Sequence, residues 1–280
     1  MGSNLDRYFS RMGARVKVLD AEPVPIRDRW LSARSTEQPP PIVIDIRRDN
    51  RGELFEIRTA PGSRQEIDVL NAQPREKHLV LLSRQFDVQG GLLAKQKFLC
   101  GWDEKHWFVA AIPESEPVST VASAKIALKP EEVRTREQAL GISRKASFQR
   151  RNAAYVRQGE WFFLPATKVS ANPLLILRNE PLSRGNGSKP HVVEQCYRSG
   201  GETVYVSAKY PSGIPAGEYN RLPERERKLG FTIMERDANV YVRGEVRHPD
   251  HETVTLNGWH RVFMNTENRS SALRYLAFLD

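Results

Sequence analysis

Three of the six histidines lie within thirteen residues near the C-terminus, at positions 248, 251 and 260. The residues from 240 to 248 alternate as in a strand, with Val240, Val242, Val246 and His248 on one face. Pro249-Asp250 favours a turn directly after this strand, which would bring His251 close to His248. An H-x-x-H pair in such a turn is typical of two ligands for Zn, Fe or Mn.

The third ligand is not expected to be His260. Asn257-Gly258 is typical of a two-residue hairpin, which would place Thr255 opposite His260. His251 would then lie about 13 Å along the strand from Thr255, at roughly 3.3 Å per residue. A neighbouring strand could instead supply His191 or Glu194. We therefore predict a metal site from His191, Glu194, His248 and His251, against the alternative of a turn held by hydrogen bonds from Asp250 and the histidines.

A second candidate region is the basic connector, residues 133 to 158, which has seven basic residues and one acidic residue, a local charge of +6. It is predicted to be helical and to break at Gly141. Phosphates can be neutralised by its cations while an aromatic ring stacks on a base. The predicted nucleic-acid contacts are Arg144, Lys145, Phe148, Arg150, Arg151, Tyr155 and Arg157. The alternative is a solvated linker whose arginines pair with acids elsewhere in the chain.

The elements around these residues are mainly strands. Ile42, Ile44 and Ile46 form an apolar face opposite a mixed one, and Asp49-Asn50-Arg51-Gly52 has the composition of a hairpin turn. Strand signals also flank Gly101 to Lys105 and recur after Tyr155. We predict a β-dominated α+β fold, with an N-terminal α+β domain of antiparallel hairpins at 1–132, the connector at 133–154 and a β-barrel or sandwich at 155–280, which carries an insertion at 207–235.

Composition limits the classes of protein. The 280 residues are enough for two domains, and a net charge of +9 with a pI near 9.7 favours polyanionic partners. Cys100 and Cys196 match no paired-cysteine motif, so neither a disulfide scaffold nor a cysteine-rich zinc ribbon is indicated. The sequence shows neither a signal peptide nor a membrane span. We expect a cytoplasmic protein that does not bind membranes.

The C-terminal half resembles two groups of proteins. Arg157-Gln158-Gly159-Glu160, His191 after a Gly-Ser-Lys-Pro segment, His248-x-x-His251 and Gly258-x-x-Arg261-Val262 follow one another. This order resembles small uncharacterised bacterial proteins that open with an R-Q-G-D strand, a likeness that implies a compact β-barrel. A looser similarity to cupins implies a barrel-bound metal; His191 and Glu194 match the first cupin motif in part, and its H-x-H pair is absent.

Two functions follow as expectations. The first is a non-catalytic accessory or assembly protein that binds RNA or DNA, or a nucleoprotein complex, through the basic connector, with protein partners as a further option. The alternative is a cupin-like, metal-dependent enzyme that acts on a small molecule. Other catalytic motifs, including the nucleophile elbow, the H-E-x-x-H helix and the phosphate-binding glycine loops, are absent from the sequence.

Overall fold

The computed structural model describes residues 2–20, 42–59, 64–184, 188–270 and 276–277. The helices of these residues are α1 (Gly2–Met12), α2 (Val121–Ala127), α3 (Glu131–Ala139), α4 (Arg144–Ser147), α5 (Ala216–Arg221) and α6 (Glu224–Arg227). The strands are β1 (Val16–Asp20), β2 (Ile42–Asp49), β3 (Gly52–Thr59), β4 (Arg64–Gln73), β5 (His78–Phe86), β6 (Leu92–Asp103), β7 (His106–Ile112), β8 (Val156–Gln158), β9 (Trp161–Pro165), β10 (Leu177–Leu182), β11 (His191–Ser199), β12 (Glu202–Val206), β13 (Ile214–Pro215), β14 (Thr232–Arg236), β15 (Asn239–His248), β16 (His251–Met264) and β17 (Leu276–Ala277). The predicted β-dominated α+β fold is confirmed.

Two sheets form the N-terminal part of the molecule. One has the order β1-β3-β2-β17, and the other is the antiparallel meander β4-β5-β6-β7. The predicted β2–β3 hairpin is present, and the Asp49 carboxylate accepts a hydrogen bond of 2.8 Å from Arg51 N in its turn. Apolar side chains of both sheets and of α1 pack into one core, which includes Phe9, Phe55 and Phe98. This core fixes the β6–β7 hairpin, whose tip at Asp103 to His106 projects toward the C-terminal sheet.

Helices α2, α3 and α4 connect the N-terminal sheets to the C-terminal sheet. Thr120 caps α2 by accepting a hydrogen bond from Ser123 N, and α2 packs on β5 and β6 through Val121 and Ala124. A second buried group contains Val133 of α3 together with Tyr155 and Phe162. Gly141 separates α3 from α4 with φ near 59°, a conformation that glycine adopts readily, so the predicted helix break is present.

The C-terminal strands form an open six-stranded sheet with the order β10-β11-β15-β16-β9-β8. Its buried face carries Trp161, Phe163, Val193, Val242 and Val246. The sequence predicts a barrel or a sandwich here, and no closed barrel is found in the described part of the chain, because β10 and β8 lie at the two edges of this sheet. The 207–235 insertion contributes α5, α6, β13 and β14, and the last two flank β12 in a small separate sheet. Among the described residues, no helix is long and apolar enough to cross a membrane.

The Asn257-Gly258 segment is not the hairpin turn that its sequence predicts. It lies inside β16 as a bulge, because Val242 pairs with His260 while Gly244 pairs with Leu256. Gly258 has φ near 86°, and an Asn-Gly pair supplies this conformation equally well in a turn and in a bulge. The hairpin turn is instead at Pro249-Asp250, where His248 pairs directly with His251.

Candidate metal centre

Three strand ends bring His191, His248 and His251 together. His248 ends β15 and His251 begins β16, on either side of the two-residue turn. His191 begins β11, and its neighbour Val192 pairs with Arg247 of β15. The ligand nitrogens of the three side chains all lie within 4.8 Å of one another. Three of the four predicted ligands therefore meet, and we name them the histidine cluster.

The rings of the histidine cluster pack face against face. The ring centroids of His191 and His248 are 4.2 Å apart, those of His248 and His251 are 4.7 Å apart, and those of His191 and His251 are 5.5 Å apart. The interplanar angles are between 22° and 33°. His191 is 1% exposed, and the other two side chains are partly buried. The cluster is therefore compact and shielded on the His191 side.

Several nitrogens of the cluster have no hydrogen-bond partner in the described structure. These atoms are both ring nitrogens of His191 and Nδ1 of His251. A Cβ atom built on Gly159 would lie 2.9 Å from His251 Nε2 and 3.1 Å from His191 Nε2, so the absence of a side chain there leaves room beside both nitrogens. Buried polar atoms are paired in the great majority of cases, and an unpaired group needs an explanation. A cation bound between the three histidines would be the partner that these nitrogens lack.

Burial keeps the three imidazoles neutral. Desolvation, with smaller contributions from the other two histidines, lowers the pKa of His191 to about 2. Desolvation is also the main cause that lowers the pKa of His248 and the pKa of His251. A neutral imidazole is the form that binds metals, so the environment favours the ligating state at neutral pH.

Glu194 is not part of the cluster, contrary to the prediction that it is a ligand. A bulge between Val193 and Gln195 interrupts the alternation of β11. The Glu194 carboxylate lies over Gly244 and accepts a hydrogen bond of 3.0 Å from Glu245 N. Since Glu194 is three residues from His191 on an extended strand, its side chain points away from the face on which His191 lies.

His260 also lies apart from the cluster, as predicted, although the reason differs. Its backbone pairs with Val242 and Pro165 in the middle of the sheet, and its Nδ1 lies 2.9 Å from the carbonyl oxygen of Gly258. His260 therefore lies nine residues along β16 from His251, and no hairpin turn separates them.

The β6–β7 hairpin supplies a carboxylate to the histidine cluster. Glu104 Oε2 lies 3.6 Å from Nδ1 of His251 and accepts a hydrogen bond of 2.6 Å from Glu252 N. The other carboxylate oxygen accepts from Arg150. The 3.6 Å contact with His251 is too long for a hydrogen bond, so Glu104 lies beside this histidine without bonding to it. The N-terminal hairpin and the C-terminal sheet thus contribute to one site.

A second chain of polar groups crosses the same boundary. Asp250 accepts a hydrogen bond of 2.9 Å from Lys189 Nζ, and its other oxygen lies 3.7 Å from His106 Nε2. His106 Nδ1 lies 2.5 Å from the Glu53 carboxylate, which also accepts from Trp107 N. These contacts hold the Pro249-Asp250 turn, and so His248 and His251, against the N-terminal part.

The histidine cluster opens into a central cavity of about 590 Å³. Aromatic side chains cover part of its wall, and Glu160, Arg184 and Glu267 line another part. Arg184 lies 3.1 Å from Glu267 Oε1 and 3.9 Å from Glu160 Oε1. Burial raises the pKa of Glu267 to about 7. This volume is within the range of small-molecule sites, about 300 to 1,000 Å³.

Sequence reasoning missed Glu104, Gly159, Glu160, Arg184 and Glu267 as residues of this site. The Arg157-Gln158-Gly159-Glu160 segment was the one available signal, because a glycine followed by an acid between two short strands marks a tight turn that can present a carboxylate. The other residues approach through pairings between distant segments, which no local pattern contains.

The basic connector lies beside the same cavity. Arg150 forms ion pairs with Asp103 and Glu104, Arg157 lies 3.4 Å from Asp103, and Arg151 donates to the carbonyl oxygen of Thr255. Tyr155 is 2% exposed, and its hydroxyl donates to backbone carbonyls of Ser147 and Gln149, so its ring is not offered to an external base. Phe148, Arg144 and Lys145 are exposed. Arg150 and Arg157 of the connector thus pair with acids, as expected for a linker whose arginines are neutralised within the chain.

Comparison of the chain with protein-family models, with curated proteins and with solved structures found no match. The resemblances to the R-Q-G-D proteins and to cupins therefore stay predictions.

Proposed function

We propose that this protein is a metal-dependent enzyme that acts on a small molecule in the central cavity, with His191, His248 and His251 as the metal ligands. The observation that supports this proposal is the convergence of the three side chains, whose ligand atoms lie within 4.8 Å of one another. The unpaired nitrogens of buried His191 support it further.

Zinc is the first candidate among the expected metals Zn, Fe and Mn. Catalytic zinc sites commonly combine three protein ligands with one open position for water or substrate. A zinc ion in such a site lowers the pKa of its bound water to about 7 and so supplies hydroxide near neutral pH. Three neutral imidazoles at the wall of a cavity match this ligand number and leave a side open to the substrate.

Glu160 is the proposed general base. It follows Gly159, where an added Cβ would lie 2.9 Å from His251 Nε2 and 3.1 Å from His191 Nε2, and it lines the same cavity as the histidine cluster. A carboxylate beside a metal-bound water can accept its proton. Arg184 Nε lies 3.9 Å from Glu160 Oε1 and would help to position this carboxylate.

The test is the metal content of the full-length protein after expression with added zinc, iron or manganese. We expect about one transition-metal ion per chain in the wild type, and less than about a tenth in His248→Ala and His251→Ala. His260→Ala is the matched control and should keep the metal, because His260 lies outside the cluster. A wild type without metal, or equal loss in the His260→Ala control, would overturn the proposal.

A further inference from the structure

The two candidate regions of the sequence meet at one cavity. Phe148, Arg150 and Arg157 of the basic connector line the same central cavity as the histidine cluster. Predicted nucleic-acid contacts and predicted metal ligands therefore line the same cavity. This arrangement suits a molecule that has both a flat ring system and an anionic group.

Phe148 provides an aromatic surface in this cavity. It follows α4 directly, is 36% exposed and lines the cavity wall. The ammonium groups of Lys125 and Lys129 lie 5.9 Å and 5.7 Å from the centroid of its ring. Exposed aromatic rings beside cations are the groups on which nucleic-acid bases stack. The ring is also large enough to hold a single base without sequence preference.

The two lysines differ in their remaining capacity to donate. Lys129 donates to Glu137 and to the hydroxyl and carbonyl oxygens of Ser147, which uses all three of its protons. Lys125 has one hydrogen-bond acceptor among the described residues, Glu76 at 2.8 Å, and its side chain is 23% exposed. Lys125 can therefore donate to an anionic ligand in the cavity without losing its ion pair.

We propose that the ligand of the central cavity is a nucleoside phosphate whose base stacks on Phe148 and whose phosphate is bound by Lys125. This inference rests on the proposed function and deepens it, because it names the class of small molecule for the cavity that the histidine cluster lines. A cavity of about 590 Å³ can hold one nucleotide. A free mononucleotide and the phosphorylated end of a single strand both carry this chemistry.

The experiment is calorimetric titration of the full-length, zinc-supplemented protein with adenosine 5′-monophosphate, adenosine, inorganic phosphate and a 5′-phosphorylated tetranucleotide. We expect adenosine 5′-monophosphate to bind at least about tenfold more tightly than adenosine or phosphate alone. Tighter binding of the mononucleotide than of the tetranucleotide would identify a free nucleotide as the ligand, and the reverse order would identify a strand end. Equal affinity for adenosine and its monophosphate would overturn the proposal.

Variants locate the binding surface. Phe148→Leu should weaken binding of adenosine 5′-monophosphate about tenfold, whereas Phe148→Trp should retain it, because only the second keeps a ring for stacking. Lys125→Ala should weaken binding of the monophosphate but leave binding of adenosine unchanged. Lys95→Ala is the matched control, since Lys95 is exposed and does not line the cavity. If Lys95→Ala weakens binding of the monophosphate as much as Lys125→Ala does, the proposed site is wrong.

Metal content measured on the same samples separates the two proposals. A protein that holds about one zinc ion but does not bind the monophosphate overturns the nucleotide inference and leaves the proposed function standing. A protein that binds the monophosphate on Phe148 but holds no metal supports the stacking site and overturns the metal-dependent function.

Discussion

Two buried polar clusters line the central cavity, and their hydrogen bonding differs. Lys129 is 4% exposed, and its ammonium donates to both oxygens of Glu137 at 2.8 Å and 2.9 Å and to both oxygens of Ser147. His191 is 1% exposed, and neither of its ring nitrogens has a partner among the described residues. Both clusters remove polar groups from water, but only the first replaces the lost hydrogen bonds.

This difference separates a structural role from a binding role. A buried charge that has all its partners joins α3 and α4 to the end of α2, and its removal costs stability without affecting ligands. A buried group without partners costs stability in the ligand-free protein, and that cost is recovered only when a ligand binds. The unpaired nitrogens of the histidine cluster are therefore consistent with the proposed metal site.

The largest expected effect on stability is that of removing Lys129 from its cluster with Glu137 and Ser147. Lys129→Ala leaves Glu137 buried without its cation and should lower the free energy of unfolding by about 3 to 5 kcal/mol. Urea denaturation measures this change. Lys125→Ala is the control, because its ion pair with the largely exposed Glu76 should contribute about 0 to 1 kcal/mol. If Lys129→Ala and Lys125→Ala lose similar stability, the buried contacts of Lys129 do not have the structural role that we assign to them.

Glu267 lies between these two extremes, since it is buried but has a partly compensating partner in Arg184. Its folded-state pKa is raised from 4.5 to about 7 by burial, so the folded protein binds an extra proton between these pH values. Stability contributed by this proton is complete below pH 4.5 and is lost as the pH rises through 7. Relative to the wild type, Glu267→Gln should therefore become more stable by about 3 kcal/mol between pH 4.5 and pH 8.

Denaturation of the Glu267→Gln variant and the wild type across this pH range provides the measurement. Glu160 and Arg184 face Glu267, and both remain in the variant, so the difference between the two curves isolates the Glu267 proton. If the difference in free energy of unfolding between the two proteins does not change with pH, Arg184 keeps Glu267 ionised. Glu267 would then be a fully paired buried charge, like Lys129.

Removal of a side chain from the histidine cluster should not lower the free energy of unfolding of the metal-free protein. His191→Leu removes two nitrogens that have no hydrogen-bond partner, so the metal-free protein should be as stable as the wild type or more stable by about 1 kcal/mol. The same variant should lose its metal. Denaturation after treatment with a chelator, with metal analysis of untreated samples, measures both changes. A loss of several kcal/mol in the metal-free state would show that His191 is an ordinary core residue.

The sequence contains the local part of this site but not the contacts between distant segments. His248 and His251 were predicted to be neighbours because Pro249-Asp250 determines its own turn, and His191 followed from a neighbouring strand. Glu194 was wrong because it lies three residues from His191 and so on the opposite face of β11, and the Asn257-Gly258 hairpin was wrong because the same residue types serve turns and bulges. Glu104 approaches His251 from 147 positions away in the chain, and no local pattern encodes such a contact.

The smallest expected effect on stability concerns the exposed end of the basic connector, where nucleic-acid binding stays a prediction. Arg144 and Lys145 are exposed, unlike the ion-paired Arg150 and Arg157. Reversal of both charges by Arg144→Glu and Lys145→Glu should change the free energy of unfolding by less than about 0.5 kcal/mol, because these side chains lie on the surface. It should nevertheless abolish a salt-sensitive mobility shift on mixed nucleic acid, since each phosphate contact releases counterions. Arg227→Glu at the end of α6 and Lys228→Glu directly after it form the matched control for net charge. If the double variant at Arg227 and Lys228 weakens the mobility shift equally, binding depends on the net charge of the protein. The connector would then be an ordinary solvated surface.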